Sequence, residues 1–387
     1  MLDSATNIAY IRQEIPGVTS HIHLNTASFG PVARCVPQAM EKWMNKEWSE
    51  GRLGMAAYAA MADVYAEARA SVAQLLHAES GEIALTENTG EGLNIICYGF
   101  NWQPGDEIIF TSHEHISLLA LLDQIHNRYG VVLRVADLGT GEKPADQAIE
   151  ALITPRTRLI ILSHVSFMTG AVLDVHAVTQ MAHQSQIPVL VDGAQAVGVI
   201  PVDVRALEAD FYTFPMQKWL CGPDGTGALY VRRESLNLIQ PTYVGWYTLQ
   251  FAGLSWQFHD SAQRFELGAR QTAAVTGQSA VLHWLEETVT YPWMFERIAL
   301  LNRTVYSALK EIPGLLVLTP QPGASGLITF YLAGSDEGEL VHWLQDEQDI
   351  YVRAIHEHRA VRISTGFYNT EEEIDRLAQA LRTWQRR

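Results

Sequence analysis

Two side chains of opposite charge stand where apolar, strand-like runs give out. Asp192 closes the run Ile187-Pro188-Val189-Leu190-Val191-Asp192, and Lys218 follows Asp210-Phe211-Tyr212-Thr213-Phe214 by way of Pro215-Met216-Gln217. Open α/β sheets bind ligands beyond the carboxyl ends of their strands, which places both groups in one crevice. An amine and a carboxylate so placed suit pyridoxal 5'-phosphate (PLP). Its aldehyde takes a lysine, and its ring nitrogen needs an acid to stay protonated as an electron sink. Each residue also has a plainer reading, Asp192 as a turn former and Lys218 as a solvated surface charge. The flanking Phe214, Trp219 and Leu220 weigh against the second reading, because an amine stripped of water gives up its proton more readily, as a lysine nucleophile requires.

The elements that must position this pair alternate between strand-like and helix-like patterns, the mark of a parallel sheet with crossover helices. Tyr58, Met61, Tyr65, Ala68, Val72 and Leu75 recur at helical spacing within a helix expected over Met55 to Ala78. Short apolar runs follow at Ile83 to Thr86, Glu107 to Phe110, Leu159 to Leu162 and Gly227 to Val231, and read as buried strands. Past about residue 280 the texture becomes helix, then strands such as Leu327 to Tyr331, then a last helix. That helix carries a capping box, Thr370 with Glu373, ahead of the apolar face Ile374, Leu377, Leu381 and Trp384.

Composition bounds the function. The chain has 387 residues, more than one hydrophobic core usually serves, so two domains sharing a cleft are expected. With 43 acidic against 27 basic residues, a formal charge of -16 argues against nucleic-acid or anionic-membrane partners and leaves a small molecule. Three cysteines, Cys35, Cys97 and Cys221, show no CxxC spacing, which fits a reducing, cytoplasmic setting. No export signal or membrane-spanning run is evident near Met1 or elsewhere.

The stretch Val191 to Arg233, with its DGAQ and its lysine followed by WLCGPDGTG, resembles the cofactor core of class V aminotransferases. That group includes cysteine desulfurases, selenocysteine lyases and isopenicillin N epimerase. The likeness runs from His23-Leu24-Asn25-Thr26 to Tyr368-Asn369-Thr370. The segments Pro241 to Trp246 and Arg264 to Glu266 look most like those of cystine C-S lyases. The resemblance implies a PLP-dependent transferase of fold type I: a large α/β domain with a mostly parallel seven-stranded sheet, residues 21–280, and a smaller α+β domain, residues 1–20 and 281–387. It also implies a homodimer with active sites at the subunit boundary.

Roles come with the resemblance, each beside a blander reading. Asn88-Thr89-Gly90-Glu91-Gly92 is a small-residue turn entering an apolar helix, whose amides can cradle a phosphate, or simply a cap. In relatives Thr89, Gly90 and Glu91 occupy that phosphate turn. His115, in Thr111-Ser112-His113-Glu114-His115, matches the histidine that stacks on the cofactor ring. The alternatives are a structural histidine or a metal pair with His113, but no further ligands or HExxH pattern are evident and no metal is expected. Gln195 corresponds to the residue bonded to the ring oxygen.

Arg362, in Ala360-Val361-Arg362-Ile363-Ser364, matches the arginine gripping the substrate carboxylate, which guanidinium does through two parallel bonds. Arg353 matches a second arginine, with a surface ion pair as its other reading.

Departures narrow the reading. Desulfurases carry a nucleophilic cysteine between the two arginine segments, because a thiolate must attack the substrate sulfur. Here Ala354 to Val361 contains none. Pro215-Met216-Gln217 replaces the usual hydroxyl and imidazole ahead of the lysine, leaving Gln217 as a donor to phosphate. Arg270 stands just after the segment that reaches the neighbouring subunit's phosphate in relatives, where a cation can replace a lost contact. Phe167 takes the place of an asparagine. The expected chemistry is β-elimination from cystine or a cysteine-like amino acid. Amino transfer, epimerisation and a non-catalytic PLP-binding homologue are the alternatives.

Overall fold

The computed structural model describes residues 4–387. Its centre is a seven-stranded sheet of β1 (Ile83–Thr86), β2 (Glu107–Thr111), β3 (Val132–Ala136), β4 (Thr157–Ser163), β5 (Val189–Asp192), β6 (Phe211–Pro215) and β7 (Gly227–Val231). The spatial order is β1-β7-β6-β5-β4-β2-β3. The run β3-β2-β4-β5-β6 is parallel, whereas β7 lies antiparallel to both β6 and β1. This is the expected mostly parallel sheet. All of these strands except the edge strand β3 are buried almost throughout, because helices cover both faces. Side chains alternate between faces: Ile160, Leu162, Val189, Val191 and Tyr212 join one core, and Leu159, Ile161, Leu190 and Phe211 the other.

A second core follows the sheet. Strands β8 (Leu315–Val317), β9 (Leu327–Leu332), β10 (Arg353–Ile355) and β11 (Ala360–Ser364) form an antiparallel sheet in the order β8-β9-β11-β10. Ile22 and Leu24 join its core because Ile22–His23 pairs in parallel with Ile350–Tyr351. The last helix, Glu371–Trp384, is capped as its sequence predicts: Thr370 Oγ1 accepts from Glu373 N at 3.4 Å, and Glu373 accepts from Thr370 N at 3.2 Å. Ile374, Leu377 and Leu381 are buried in that core, and Trp384 packs against it.

One expectation holds only in part. The helix over Gly54–Leu76 buries Tyr65, Ala68, Val72, Ala73 and Leu76, but Tyr58 is 60% exposed at its other end. Trp48, Leu53 and Met55 are exposed beside it, and the segment Ala269 to Thr272 closes a cavity there with Tyr58 and Met61. The helical period locates an apolar stripe without showing what covers it, and among the described residues this end of it stays largely uncovered. Among the described residues, no helix is long and apolar enough to cross a membrane.

Candidate active site

The carboxyl ends of β4, β5 and β6 open into a cavity of about 470 Å³. Ser163 and Asp192 line it from the ends of β4 and β5, and Pro215, Gln217 and Lys218 from the end of β6 and the turn after it. Asn88, Thr89 and Gly90 enter from the start of the Thr89–Gly99 helix, and His115 from the N-cap of the Ile116–Tyr129 helix. Arg353 and Arg362 reach in from β10 and β11 of the smaller sheet. The cavity therefore lies between the two sheets, where strand ends leave backbone groups and charges for a ligand.

Burial sets the electrostatics. Lys218 is half-buried at the cavity wall, and loss of water lowers its pKa to about 8, with Asp192 opposing and Arg362 assisting the shift. The Asp192 carboxyl is pushed up by its own burial, against the Ala194 N–H donated at 2.8 Å and the Lys218 cation. Its main chain is held as well, since Asp192 O accepts from His164 N at 2.9 Å. The residue after it, Gly193, has no room for a side chain: a Cβ would sit 2.1 Å from the Tyr212 ring.

Lys218 is seated by the segment Phe29-Gly30. Gly30 N donates to Gln217 O at 2.8 Å, and a Cβ on Gly30 would lie 1.8 Å from Lys218 O. Contact that close with backbone cannot be relieved by a rotamer change. Gly30→Ala is therefore expected to displace the lysine turn and to destabilise the protein by about 1–3 kcal/mol. Thermal denaturation and PLP content after purification check this together.

The phosphate turn keeps its polar groups free. Asn88 caps the helix, its Oδ1 accepting from Glu91 N at 3.0 Å, which leaves the amides of Thr89 and Gly90 directed at the cavity end of the helix. Thr89 Oγ1 and Gln217 Oε1 are both buried without a hydrogen-bond partner. Oxygen and nitrogen of an amide are assigned from their surroundings, so Gln217 turned over presents an N–H at the same place. Unsatisfied buried polar atoms at a helix start are what a bound phosphate would satisfy. The donor set fits PLP: an acid on β5, a half-buried amine beyond β6, and a polar cup at a helix N-terminus.

Arg362 is buried, 3% exposed, and fixed by two donations, Nη1 to Phe167 O at 2.8 Å and Nη2 to Ser28 Oγ at 3.1 Å. Its Nε is left without a partner. Arg353 and Arg362 are direct cross-strand partners, so two cations share one face of the β10–β11 pair. Burial, and the Arg353 charge after it, lower the Arg362 pKa to about 9. An anion in the cavity relieves that repulsion. His115 packs edge-on to Phe167, ring centroids 5.1 Å apart, and its pKa is lowered by burial and then by Lys218, Arg362 and Arg353.

Gln195 lines the cavity but is already engaged, donating to Ala27 O at 3.0 Å and accepting from Trp219 Nε1 at 2.8 Å. Its second amide hydrogen remains for a ligand. Glu91 and Arg270 are not on the cavity wall. They pair with each other, Arg270 Nη2 to Glu91 Oε1 at 3.1 Å, so the carboxylate is neutralised just outside the phosphate cup and Arg270 is held within its own chain. His113 turns away to Gly139 O at 3.0 Å, so it does not pair with His115 on a metal.

Among the described residues, no group of three or more histidines, cysteines or acids is arranged to hold a metal ion. None of the three cysteines lines the cavity. Burial pushes the Cys35 thiol up to about 11 and the Cys97 thiol to about 12, and raises that of Cys221 as well. Sequence reasoning missed Glu114, buried behind Ser163, and Ser28, which holds Arg362; neither belongs to a spacing pattern that marks it.

The aminotransferase class-V family model matches residues 22–377. The probable cysteine desulfurase of Methanothermobacter thermautotrophicus is 29% identical over 389 residues, with 96% of each sequence covered. The cystine C-S lyase C-DES, in complex with its reaction product cysteine persulfide, superimposes with a TM-score of 0.91 at 28% identity, over 95% of this chain and 99% of that one. A mutant of C-DES with glycine covalently linked to its PLP cofactor gives the same TM-score at 27% identity, over 96% and 98% of the two chains.

Proposed function

The chain belongs to the class-V aminotransferase family, and we propose that it is a PLP-dependent C-S lyase that eliminates the sulfur substituent from the β-carbon of cystine or a cysteine-like amino acid. The observation that carries this reading is one cavity with Lys218, Asp192 and Arg362 on its wall and no thiol among its lining residues. Desulfuration by persulfide transfer requires a thiolate within reach of the substrate sulfur, whereas elimination requires only a base and an electron sink.

Bound PLP supplies the electron sink for the carbanion formed at the α-carbon. Lys218 would hold the cofactor aldehyde, and its Nζ would take the α-proton, a task suited to an amine whose pKa has fallen to about 8. Asp192 would keep the ring nitrogen protonated, and its buried carboxylate, otherwise pushed up in pKa, would gain a cationic partner there. Thr89, Gly90 and Gln217 would hold the phosphate, His115 would cover the ring, and Gln195 would donate to the ring oxygen. Arg362 grips the α-carboxylate, and Arg353 assists it at the cavity mouth. Departure of the sulfur leaves an unsaturated amino acid that hydrolyses to pyruvate and ammonia.

The same reading includes a homodimer, with residues 21–280 as the large domain and residues 1–20 and 281–387 as the small one. Trp48, Leu53, Met55 and Tyr58 are exposed, as are Trp246, in the turn before the 249–258 hairpin, and Trp256 on it, and these large apolar side chains are what a second copy of the chain would cover. Arg270 and Glu91 would then border the partner's approach to the phosphate cup.

Purified enzyme incubated with cystine and no amino acceptor is expected to release pyruvate and ammonia. A requirement for a keto acid, or return of the amino acid with inverted configuration, would overturn elimination. Single Cys35→Ala, Cys97→Ala and Cys221→Ala variants are each expected to keep pyruvate formation within about twofold of wild type, since none of these thiols is activated. Loss of turnover in any one of them, with unchanged melting temperature, would reinstate a persulfide route.

A further inference from the structure

Behind the cavity wall lies a carboxylate that the proposed chemistry does not use. Glu114 is 3% exposed and, among the described residues, makes no ion pair. It accepts from Thr111 Oγ1 at 2.5 Å, from Ser163 N at 2.9 Å and from Ser163 Oγ at 2.8 Å. Thr111 ends β2 and Ser163 ends β4, so one side chain ties two neighbouring strand ends. Ser163 is the registered partner of Asp192, and the next residue, His164, donates its N–H to Asp192 O. Glu114 also immediately precedes His115, whose N-cap position starts the helix that leaves the cavity.

From this geometry we propose that Glu114 is a positioning residue: it pins the His115 loop to the strand end beside Asp192, and its charge sets how tightly the lysine–cofactor centre holds its proton. A buried carboxylate without a counterion is expensive, and three donors are what make it tolerable. Burial pushes its pKa to about 7, with the nearby Asp192 charge adding to that shift and the Thr111 and Ser163 bonds opposing it. It therefore changes charge across neutral pH. The ionisable groups around it are Asp192 on β5, His164 beside Ser163, and His113 and His115 on its own loop; Lys218 lies beyond Asp192. Burial lowers the His164 pKa to about 4, so that ring, bonded to Tyr212 Oη at 2.9 Å, is neutral throughout this range.

The sign follows. Ionised Glu114 adds negative potential next to Asp192 and favours a proton on the lysine–cofactor centre; removing that charge weakens its hold. The inference rests on PLP binding but not on elimination as the reaction. A protein that takes up no PLP would fail before any titration, which separates the two outcomes. The experiment is a titration of the visible absorbance of the PLP-loaded enzyme between pH 6 and 9, in wild type, Glu114→Gln and Thr111→Val.

Glu114→Gln is expected to move the midpoint down by at least about half a pH unit. Thr111→Val removes one stabilising bond while keeping the carboxylate, so it raises the Glu114 pKa and moves the midpoint the same way by less. Should Glu114→Gln not fold, Thr111→Val decides alone. Curves that superimpose on wild type, or midpoints that move upward, overturn the proposal.

Discussion

Lys218→Ala abolishes cystine-dependent pyruvate formation, with a fall of at least about 10²–10⁴-fold from the lost proton transfer alone and more from the lost anchoring of the cofactor. The same variant no longer yields a reduced adduct when PLP-treated protein is exposed to borohydride, because no other lysine lines the cavity. Folding is not the cause of this loss. Removing the amine lifts its burial cost and the Arg362 repulsion but also takes a cation away from Asp192, so the melting temperature changes little. Turnover within tenfold of wild type, or an adduct on another lysine, would remove Lys218 from the mechanism.

A pH dependence accompanies it. Capture of the cofactor aldehyde needs the neutral amine, and burial sets that amine's pKa near 8. Holoenzyme formation from apoprotein and PLP should therefore speed up about tenfold per pH unit below 8 and level off above it. An unshifted lysine would keep accelerating past pH 10.

Much of this centre could be read before any coordinates, for a physical reason. Asp192 ends a short apolar run and Lys218 follows one closely, and a run buried on both faces carries its own boundary in the polar residue that ends it; Arg362 lies inside its strand, flanked by apolar residues. The capping box at Thr370 is equally local, four residues long, and appears as expected. What depended on distant pairing was not visible. Glu91 and Arg270 each suggest a phosphate contact by position, and that folding also pairs them with each other across 179 residues of chain was not readable. Glu114 stands between two histidines, and nothing local shows that Ser163, 49 residues away, supplies it with two donors. The facing of Arg353 and Arg362 follows from antiparallel register, which neither segment encodes by itself. The exposed end of the Gly54–Leu76 stripe has the same origin, since periodicity reports a face and not its cover.

That register makes the second large prediction specific. Arg362 is enclosed and held in place by Phe167 O and Ser28 Oγ, whereas Arg353 is exposed and, among the described residues, makes no ion pair. A carboxylate meeting Arg362 finds a donor fork already oriented, so little ordering entropy is lost on binding. Two charge-assisted bonds at about 1.5–3 kcal/mol each place the loss in Arg362→Ala at about 10²–10⁴-fold in kcat/KM. Most of it should fall on KM, because the α-carboxylate carries the same charge before and after the α-proton leaves. Arg362→Lys recovers little, since an ammonium presents a point charge where two parallel donors are needed. Arg353→Ala, removing a solvated cation, costs about tenfold or less. PLP content stays at wild-type levels in both alanine variants, because neither arginine holds the cofactor. Steady-state kinetics on cystine with the two variants side by side decide the assignment: a larger defect in Arg353→Ala than in Arg362→Ala would exchange their roles and move the α-carboxylate to the cavity mouth.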